Sequence, residues 1–232
     1  MVHVFGHFSP DTDATCSAII WAWYLNTHTA HQAVPFVLGD LNSETVFVLR
    51  RFNQETPELL PTLPAGTEVV VVDTNNPQEL PDNINEMQLL GLLDHHKLVG
   101  GLETAVPTTI TIRPLACTAT VLFDEITAHG HSLPSDIAGL MLSAILSDTL
   151  GFRSPTTTPH DKDVAEKLAA LIGIDTATLA DEMFAAKSDI SSFSDSGLVK
   201  LDSKKFVVGD KNFRVSVVET TNPATVFARS AG

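Results

Sequence analysis

The fold is decided by residues 68–73, which read Glu-Val-Val-Val-Val-Asp. Four consecutive valines, with no alternating polar residue, are typical of a strand that is buried on both faces. Strands of this kind occur in parallel sheets whose two faces are covered. The run ends on the carboxylate of Asp73, at the point where a buried strand meets a loop. The stretch therefore predicts a parallel α/β sheet and directs attention to the ends of its strands.

Segments with strand-like and helix-like patterns alternate along residues 1–187. Together with residues 68–72, apolar or β-rich runs predict a five-stranded parallel sheet, whose other strands lie at 2–6, 34–38, 87–93 and 108–112. Apolar patterns and capping residues predict flanking helices at 14–26, 44–52, 117–128, 134–146, from 158 onward, and at 175–187. Alternation of this kind indicates an α/β domain built on a parallel sheet. We assign residues 1–187 to that domain.

The composition changes after residue 187. Residues 188–197 hold five serines, two aspartates and one glycine, which is typical of a linker. Short strand-like runs follow at 198–201, 205–208 and 213–218. Residues 198–232 are fewer than the ~40 that an independent domain usually needs. We therefore expect them to be the first part of a second, substrate-binding α/β domain that is truncated in this sequence.

Composition and charge argue against several kinds of protein. The chain has 232 residues and a formal net charge of −14, which argues against a nucleic-acid-binding protein with a broad basic face. It contains no run of ~18 apolar residues, so no transmembrane helix is expected, and its first residues lack the pattern of a secretory signal. Cys16 and Cys117 lie in apolar, helix-like surroundings and are expected to be reduced, buried thiols. A cytoplasmic protein is the resulting expectation.

Aspartate and histidine residues gather just beyond the ends of three predicted strands. They are His7, Asp11 and Asp13 after the first strand, Asp73 after the third, and Asp94, His95 and His96 after the fourth. In an open parallel sheet the ligand crevice lies at such strand ends, where buried polar groups are costly unless they are paired or bound to a cation. Asp148 adds a carboxylate at the end of an almost wholly apolar helix, where the helix dipole disfavours an anion. The pattern predicts a metal site.

The donor types limit the metal. Mixed imidazole and carboxylate donors suit Mn²⁺, Co²⁺ or Zn²⁺ better than Mg²⁺ or Ca²⁺. The donors exceed the needs of one tetrahedral site, so two ions are plausible, with Asp73 able to bridge them. Two ions ~3.5–4 Å apart can hold a shared hydroxide and can bind both the attacking and the leaving oxygen when a phosphoryl group is transferred. Taken singly, each residue also has an ordinary structural interpretation, such as a loop cap for Asp73 or a frayed helix end for Asp148.

Four motifs resemble those of the DHH phosphoesterase superfamily and, within it, those of the family II (manganese-dependent) inorganic pyrophosphatases. They are Gly-His-Phe-Ser-Pro-Asp-Thr-Asp-Ala at 6–14, Val-Asp-Thr-Asn-Asn at 72–76, Leu-Asp-His-His at 93–96 and Leu-Ser-Asp-Thr at 146–149. The similarity runs from the N-terminus to about residue 158 and continues more weakly to residues 202–204. The Asp-His-His triplet alone is weakly specific, whereas the four motifs together are highly specific.

The resemblance implies a role for each of these residues. One metal ion would be held by His7, Asp11 and Asp148, and the other by Asp13 and His95, with Asp73 bridging the two. His96 would contact the phosphate and help to protonate the leaving group, which makes His96 and Asp73 the expected catalytic residues. Asp94 would orient a neighbouring histidine, and Lys204 would bind substrate from the second domain.

The resemblance also implies an activity. This is hydrolysis of inorganic pyrophosphate to two phosphates by a hydroxide that bridges two Mn²⁺ or Co²⁺ ions, with Mg²⁺ arriving on the substrate. A homodimer formed through the N-terminal domain is implied as well.

Two features depart from the family: Thr-Asn-Asn at 74–76 replaces a frequent His-Asn-Glu, and no Ser-Arg-Lys-Lys-Gln run is found before residue 232. Two alternatives therefore stay open, namely an exopolyphosphatase or phosphodiesterase, and a metal-binding protein without efficient catalysis.

Overall fold

A six-stranded parallel sheet organises residues 1–188. The computed structural model describes residues 1–188, 194, 197, 203–209, 211–216 and 227. The strands of the sheet are β1 (Val2–Phe5), β2 (Ala33–Val37), β3 (Glu58–Leu59), β4 (Glu68–Val72), β5 (Gln88–Asp94) and β6 (Thr109–Ile112), in spatial order β3-β2-β1-β4-β5-β6. The helices are α1 (Thr12–His28), α2 (Ser43–Arg51), α3 (Thr118–Ala128), α4 (Ser135–Asp148), α5 (Pro159–Ile172) and α6 (Thr176–Lys187). The predicted α/β fold with a parallel sheet is confirmed.

The sheet has six strands, where the sequence predicts five, because a two-residue strand joins its edge. This strand, β3, pairs with residues 36 and 37 of β2, and both of its own residues are exposed. It lies among prolines at 57, 61 and 64, so neither apolar alternation nor a β-branched run marks it. Short, exposed edge strands leave little trace in a sequence.

The strand order places a crevice beyond the ends of β1 and β4. Strand β1 lies between β2 and β4, so the strand order reverses here, and ligands bind at such points in open parallel sheets. The loop after β1 is short because Asp11 caps α1, accepting a hydrogen bond from the Ala14 backbone N–H at 2.9 Å. Helix α1 therefore begins at Thr12, two residues before the predicted start.

The four valines of β4 belong to two separate cores, as expected for a strand that is buried on both faces. Val70 and Val72 join the larger cluster, to which all six helices of the described residues contribute. Val69 and Val71 join a smaller cluster, beneath the segment that contains short 3₁₀ turns at Pro77–Glu79 and Ile84–Glu86. Residues 137–147 of α4 are all buried, which fixes the position of the carboxylate that ends this helix.

The described part of the C-terminal region is a β-hairpin. Strands β7 (Ser203–Val208) and β8 (Lys211–Ser216) pair antiparallel, and they overlap the predicted strands at 205–208 and 213–218. Lys204 lies opposite Val215 in this register, and its side chain is outside the described residues. The predicted strand at 198–201 and most of the predicted linker at 188–197 are also outside them. Within the described ranges, every helix is too short or too polar to cross a membrane.

Candidate metal centre

The predicted metal-binding residues meet at the ends of β1, β4 and β5. Residue 7 follows β1 by two positions, residue 73 directly follows β4, and residue 95 directly follows β5. Residues 11 and 13 flank the first residue of α1, and residue 148 is the last of α4. The full set is His7, Asp11, Asp13, Asp73, His95 and Asp148. Residues spread over more than half of the chain are thus brought into one crevice.

Asp73 is the residue that the others share. Its Oδ2 atom lies 3.4 Å from Nε2 of His7, and its Oδ1 atom lies 3.4 Å from Nε2 of His95 and 3.8 Å from Nδ1 of His96. The Thr118 hydroxyl donates a hydrogen bond to Oδ1 at 2.9 Å. The residue is only 1% exposed, and its backbone φ of 60° is in the left-handed region, where aspartate and asparagine are better tolerated than most residues. The buried Asp73 carboxylate, on a residue with left-handed backbone geometry, therefore lies between two imidazoles.

Among the residues that the structure describes, potential ligand atoms form three groups in which all atoms lie within 4.8 Å of one another. The groups are His7 with Asp11 and Asp73, Asp73 with His95 and His96, and Asp13 with Cys117 and Asp148. Oδ2 of Asp148 also lies 3.9 Å from Nε2 of His95. The family resemblance groups Asp148 with His7 and Asp11, whereas these distances place it beside Asp13 and His95, because the end of α4 adjoins the start of α3. Both cysteines of the chain are free and buried, as predicted.

The start of α3 holds Asp13 in place. Its Oδ2 accepts from the backbone N–H of Thr118 at 2.6 Å, and its Oδ1 accepts from the backbone N–H of Ala119 at 3.1 Å and the hydroxyl of Ser17 at 2.9 Å. The first N–H groups of a helix lack partners within the helix and attract anions. Thr118 therefore supports two predicted ligands, Asp13 through its amide and the shared Asp73 through its hydroxyl.

Asp94 fixes His96, and a backbone carbonyl fixes His95. Oδ1 of Asp94 accepts from the backbone N–H of both histidines and lies 2.9 Å from Nδ1 of His96. Oδ2 accepts from the Asn75 amide at 2.6 Å. Nδ1 of His95 lies 3.1 Å from the carbonyl oxygen of Leu115. The histidine ring that Asp94 orients is thus the one expected on the phosphate side, and Nε2 of His95 is the nitrogen that faces Asp73.

The partly buried His7 and His95 carry raised pKa values. Burial acts to lower the pKa of His7, but contacts with Asp11 and Asp73 outweigh it and raise the pKa to about 11. Burial likewise opposes protonation of His95, and contact with Asp73 raises its pKa to about 9. For Asp73 itself, burial is outweighed by the two histidines, so its pKa is lowered. Without metal, protons on the imidazoles balance the charge of the shared carboxylate.

The histidines compensate the charges of Asp13 and Asp148 less fully. Burial raises the pKa of Asp13 to about 7, together with the negative charge of Asp73. Burial and the negative charge of Asp13 also raise the pKa of Asp148. A divalent cation would supply the missing positive charge, and mixed nitrogen and oxygen donors suit Mn²⁺, Co²⁺ or Zn²⁺. The residues therefore fit the ion that the sequence predicts.

Three supporting residues are not identified by the sequence analysis. They are Thr118, which donates to Asp73, Asn75, which donates to Asp94, and Glu44, which accepts from the hydroxyl of Thr12 between Asp11 and Asp13. Thr118 is 45 residues from Asp73 in the chain, and local sequence patterns do not predict contacts between residues so far apart. Asn75 alone carries a signal, since it lies two residues after Asp73 within a quoted motif.

Comparison with known proteins identifies similar sequences and a similar structure. Residues 1–145 match the model of the DHH family, N-terminal domain, and residues 181–232 match that of the DHHA2 domain. A probable manganese-dependent inorganic pyrophosphatase of Deinococcus radiodurans is 44% identical, over 99% of this chain and 74% of that protein. The manganese-dependent inorganic pyrophosphatase of Bacillus subtilis is 39% identical, over 98% of this chain and 74% of that protein. The crystal structure of a putative family II inorganic pyrophosphatase of Methanococcus jannaschii superposes with a TM-score of 0.83 at 35% identity, covering 99% of this chain and 75% of that one.

Proposed function

The chain belongs to the DHH family and, within it, to the manganese-dependent inorganic pyrophosphatases, and on this premise we propose that it hydrolyses inorganic pyrophosphate to two phosphates. The observation that carries the proposal is the shared carboxylate of Asp73, which lies 3.4 Å from imidazole nitrogens on both sides. A carboxylate in this position can serve two metal ions at once. The names of the relatives support manganese as the metal, with Co²⁺ as an alternative of similar donor preference.

The distances support one assignment of ligands. His7, Asp11 and Asp73 would hold the first ion, because their ligand atoms converge within 4.8 Å. Asp13, His95 and Asp148, with Asp73 shared, would hold the second. Ions held there would supply a nucleophilic water that is ionised at neutral pH, and positive charge for the phosphoryl oxygens.

His96 is suited to protonate the leaving phosphate. Its Nδ1 atom is engaged by Asp94 at 2.9 Å, and that hydrogen bond raises the pKa of the ring. Its side chain is half exposed, in contrast to that of His95. A histidine whose pKa is raised above its usual value, and which is accessible to substrate, can act as a general acid. We propose this role for His96, with Asp94 fixing the ring.

The C-terminal region would complete the substrate site. We propose that residues 1–187 are the catalytic domain, that 188–197 form a linker, and that 198–232 belong to a substrate-binding domain that supplies Lys204. The DHHA2 match to residues 181–232 supports the presence of a second domain in this region. Mg²⁺ would arrive bound to pyrophosphate, since this ion commonly binds through substrate phosphates.

If Lys204 binds substrate, Lys204→Met should raise the KM for pyrophosphate and leave the Mn²⁺ affinity unchanged. An unchanged KM would contradict this role.

We also propose a homodimer formed through the N-terminal domain. Strand β6 is an edge of the sheet, and Ile110 on it, with Val99 and Val106 before it, is more than half exposed. An open, apolar edge can pair with the same edge of a second copy across a twofold axis. Sedimentation should show a dimer that Ile110→Lys weakens, and a monomeric wild type would contradict the proposal.

The state of the cysteines supports a reducing compartment. Cys16 and Cys117 are both free and buried, as is usual for cytosolic proteins. We therefore propose the cytoplasm as the setting of the enzyme. Recovery of the protein from a secreted fraction of its source cells would contradict this placement.

Phosphate release tests the activity directly. The protein is stripped of metal with a chelator and assayed with pyrophosphate, with and without added Mn²⁺. Release that requires Mn²⁺, and that is absent from the Asp73→Ala variant, supports the proposal. Tripolyphosphate and dinucleotides are assayed in parallel, and preferred cleavage of either refutes the substrate assignment. Mn²⁺ binding without phosphate release refutes catalysis and favours a metal-binding protein.

A further inference from the structure

Glu44 is a buried carboxylate that the proposed chemistry does not use. It lies in the first turn of α2 and is 1% exposed. Its Oε1 atom accepts hydrogen bonds from the hydroxyl of Thr12, at 2.7 Å, and from the hydroxyl of Ser147. Its Oε2 atom makes no hydrogen bond to any residue that the structure describes, and it lies 3.9 Å from Nζ of Lys187. A buried charge of this kind is costly, so its position calls for a reason.

The two hydroxyl donors lie next to predicted metal ligands. Thr12 stands between Asp11 and Asp13 at the start of α1, and Ser147 directly precedes Asp148 at the end of α4. One oxygen atom of Glu44 therefore joins the first turn of one ligand-bearing helix to the last turn of another. Half of the six proposed ligands come from these two helix ends.

Glu44 is itself held by the start of α2. Asn42 caps this helix, accepting hydrogen bonds from the backbone N–H of Thr45 at 2.8 Å and from its hydroxyl at 3.0 Å. The same Thr45 hydroxyl lies 3.0 Å from that of Thr12. The backbone that carries the Glu44 side chain is thus fixed by a capped helix terminus. The carboxylate can transmit a defined position to both of its partners.

Glu44 lies beside the metal centre, where its Oε2 atom pairs with the Lys187 ammonium at 3.9 Å. A cavity of about 250 Å³ is lined by Glu44 and Lys187 together with Asp11 and Asp148. Carboxylates that line one cavity disfavour one another, and within the described residues Lys187 offsets the charge of Glu44. Divalent ions bound by Asp11 and Asp148 would add further positive charge at this cavity.

We propose that Glu44 is a positioning residue for the metal centre: by bonding Thr12 and Ser147 with one oxygen, it holds Asp11, Asp13 and Asp148 in the arrangement that binds metal. The inference rests on the proposed function, since it concerns the ions of that same site. It assigns Glu44 no contact with substrate. Its consequence is that Glu44 sets metal affinity, while the turnover of fully loaded enzyme changes little.

Mn²⁺ binding to metal-stripped protein, measured by titration calorimetry, tests the proposal. Glu44→Gln keeps an acceptor oxygen but removes the charge, and Ser147→Ala removes one of its two donors. Each should raise the Kd for Mn²⁺ about tenfold, because a hydrogen bond to a charged group contributes on the order of one such factor. Thr12→Val should do the same, whereas Thr12→Ser keeps the hydroxyl and should bind as the wild type does. Glu182→Gln, which removes one negative charge from a surface pair with Arg51, is the matched control and should be neutral.

Activity against Mn²⁺ concentration separates positioning from a general loss of stability. The variants should need about ten times more Mn²⁺ for half-maximal phosphate release, yet approach the wild-type rate at saturation. Lowered melting temperatures with unchanged Mn²⁺ dependence would show a merely structural role and overturn the proposal. So would Kd values within twofold of the wild type in the folded variants, and Ser147→Ala and Thr12→Val carry this test if Glu44→Gln does not fold. If the wild-type protein binds Mn²⁺ but releases no phosphate, the proposed function is refuted, while the positioning role of Glu44 in metal binding still holds.

Discussion

Replacing Asp73 with asparagine removes the charge of the shared ligand with little change of shape. Asparagine tolerates the backbone φ of 60° at this position and can still accept the hydrogen bond from Thr118. What it loses is the carboxylate that lies 3.4 Å from both His7 and His95. Asp73→Asn is therefore a sharper test than Asp73→Ala, which also deletes the acceptor and strains the turn.

The expected effect on metal binding is large. Residues that merely support a metal ligand change affinity by ~10–100-fold when they are replaced, so loss of a ligand common to both ions should cost more than about 100-fold at each. Phosphate release should fall below about one-hundredth of the wild-type rate for the same reason. In the metal-free protein the pKa of His95 should fall from about 9, since contact with Asp73 is what raises it. The folded state should persist, because each imidazole can shed its proton.

Three measurements check this prediction. Titration calorimetry gives Mn²⁺ affinity, a phosphate assay gives turnover, and circular dichroism confirms the fold. The control is Asp175→Asn, an equivalent change at the exposed residue that caps α6. Mn²⁺ binding by Asp73→Asn within a few fold of the wild type would refute the idea that one carboxylate serves two ions.

Three further outcomes follow from the geometry. Thr118→Val, which removes the 2.9 Å hydrogen bond to the shared carboxylate, should raise the Kd for Mn²⁺ about tenfold by calorimetry, and an unchanged Kd would contradict the role given to this hydroxyl. Metal must displace the protons of His7 and His95, whose metal-free pKa values are about 11 and about 9. Mn²⁺ binding at pH 7.5 should therefore release at least two protons, with a further contribution from Asp13 and Asp148, whose pKa values are also raised, and it should tighten as the pH rises. Calorimetry in buffers of different ionisation enthalpy counts these protons, and a heat that is independent of the buffer would contradict the prediction. Gly139→Ala should destabilise the fold by ~1–3 kcal/mol in thermal unfolding, because its Cβ would meet the Phe52 ring at 2.2 Å, and an unchanged melting temperature would contradict this packing.

The sequence predicts the fold well where a residue's surroundings follow from its neighbours in the chain. The valines of β4 show this, since a run of four marks a strand that is buried on both faces, and the structure divides them between two cores. The edge strand β3 shows the opposite case. Its two residues are exposed and carry no pattern, and only their pairing with β2 makes them a strand.

The same distinction applies to the metal centre. Asp73 and His95 stand at the ends of buried strands, so local pattern and the geometry of parallel sheets suffice to place them together. The grouping of Asp148 beside Asp13 and His95 depends on how the end of α4 meets α1 and α3, which no local pattern contains. Glu44 is likewise invisible in the sequence, because its partner Ser147 is 103 residues away.

In our proposal, one cluster of aspartate and histidine side chains holds two cations that share Asp73. Anomalous diffraction at the manganese absorption edge, from crystals grown with Mn²⁺, would locate both ions. We expect two peaks on either side of the Asp73 carboxylate, one beside His7 and Asp11 and the other beside His95 and Asp148. A single peak, or peaks that do not touch Asp73, would contradict it.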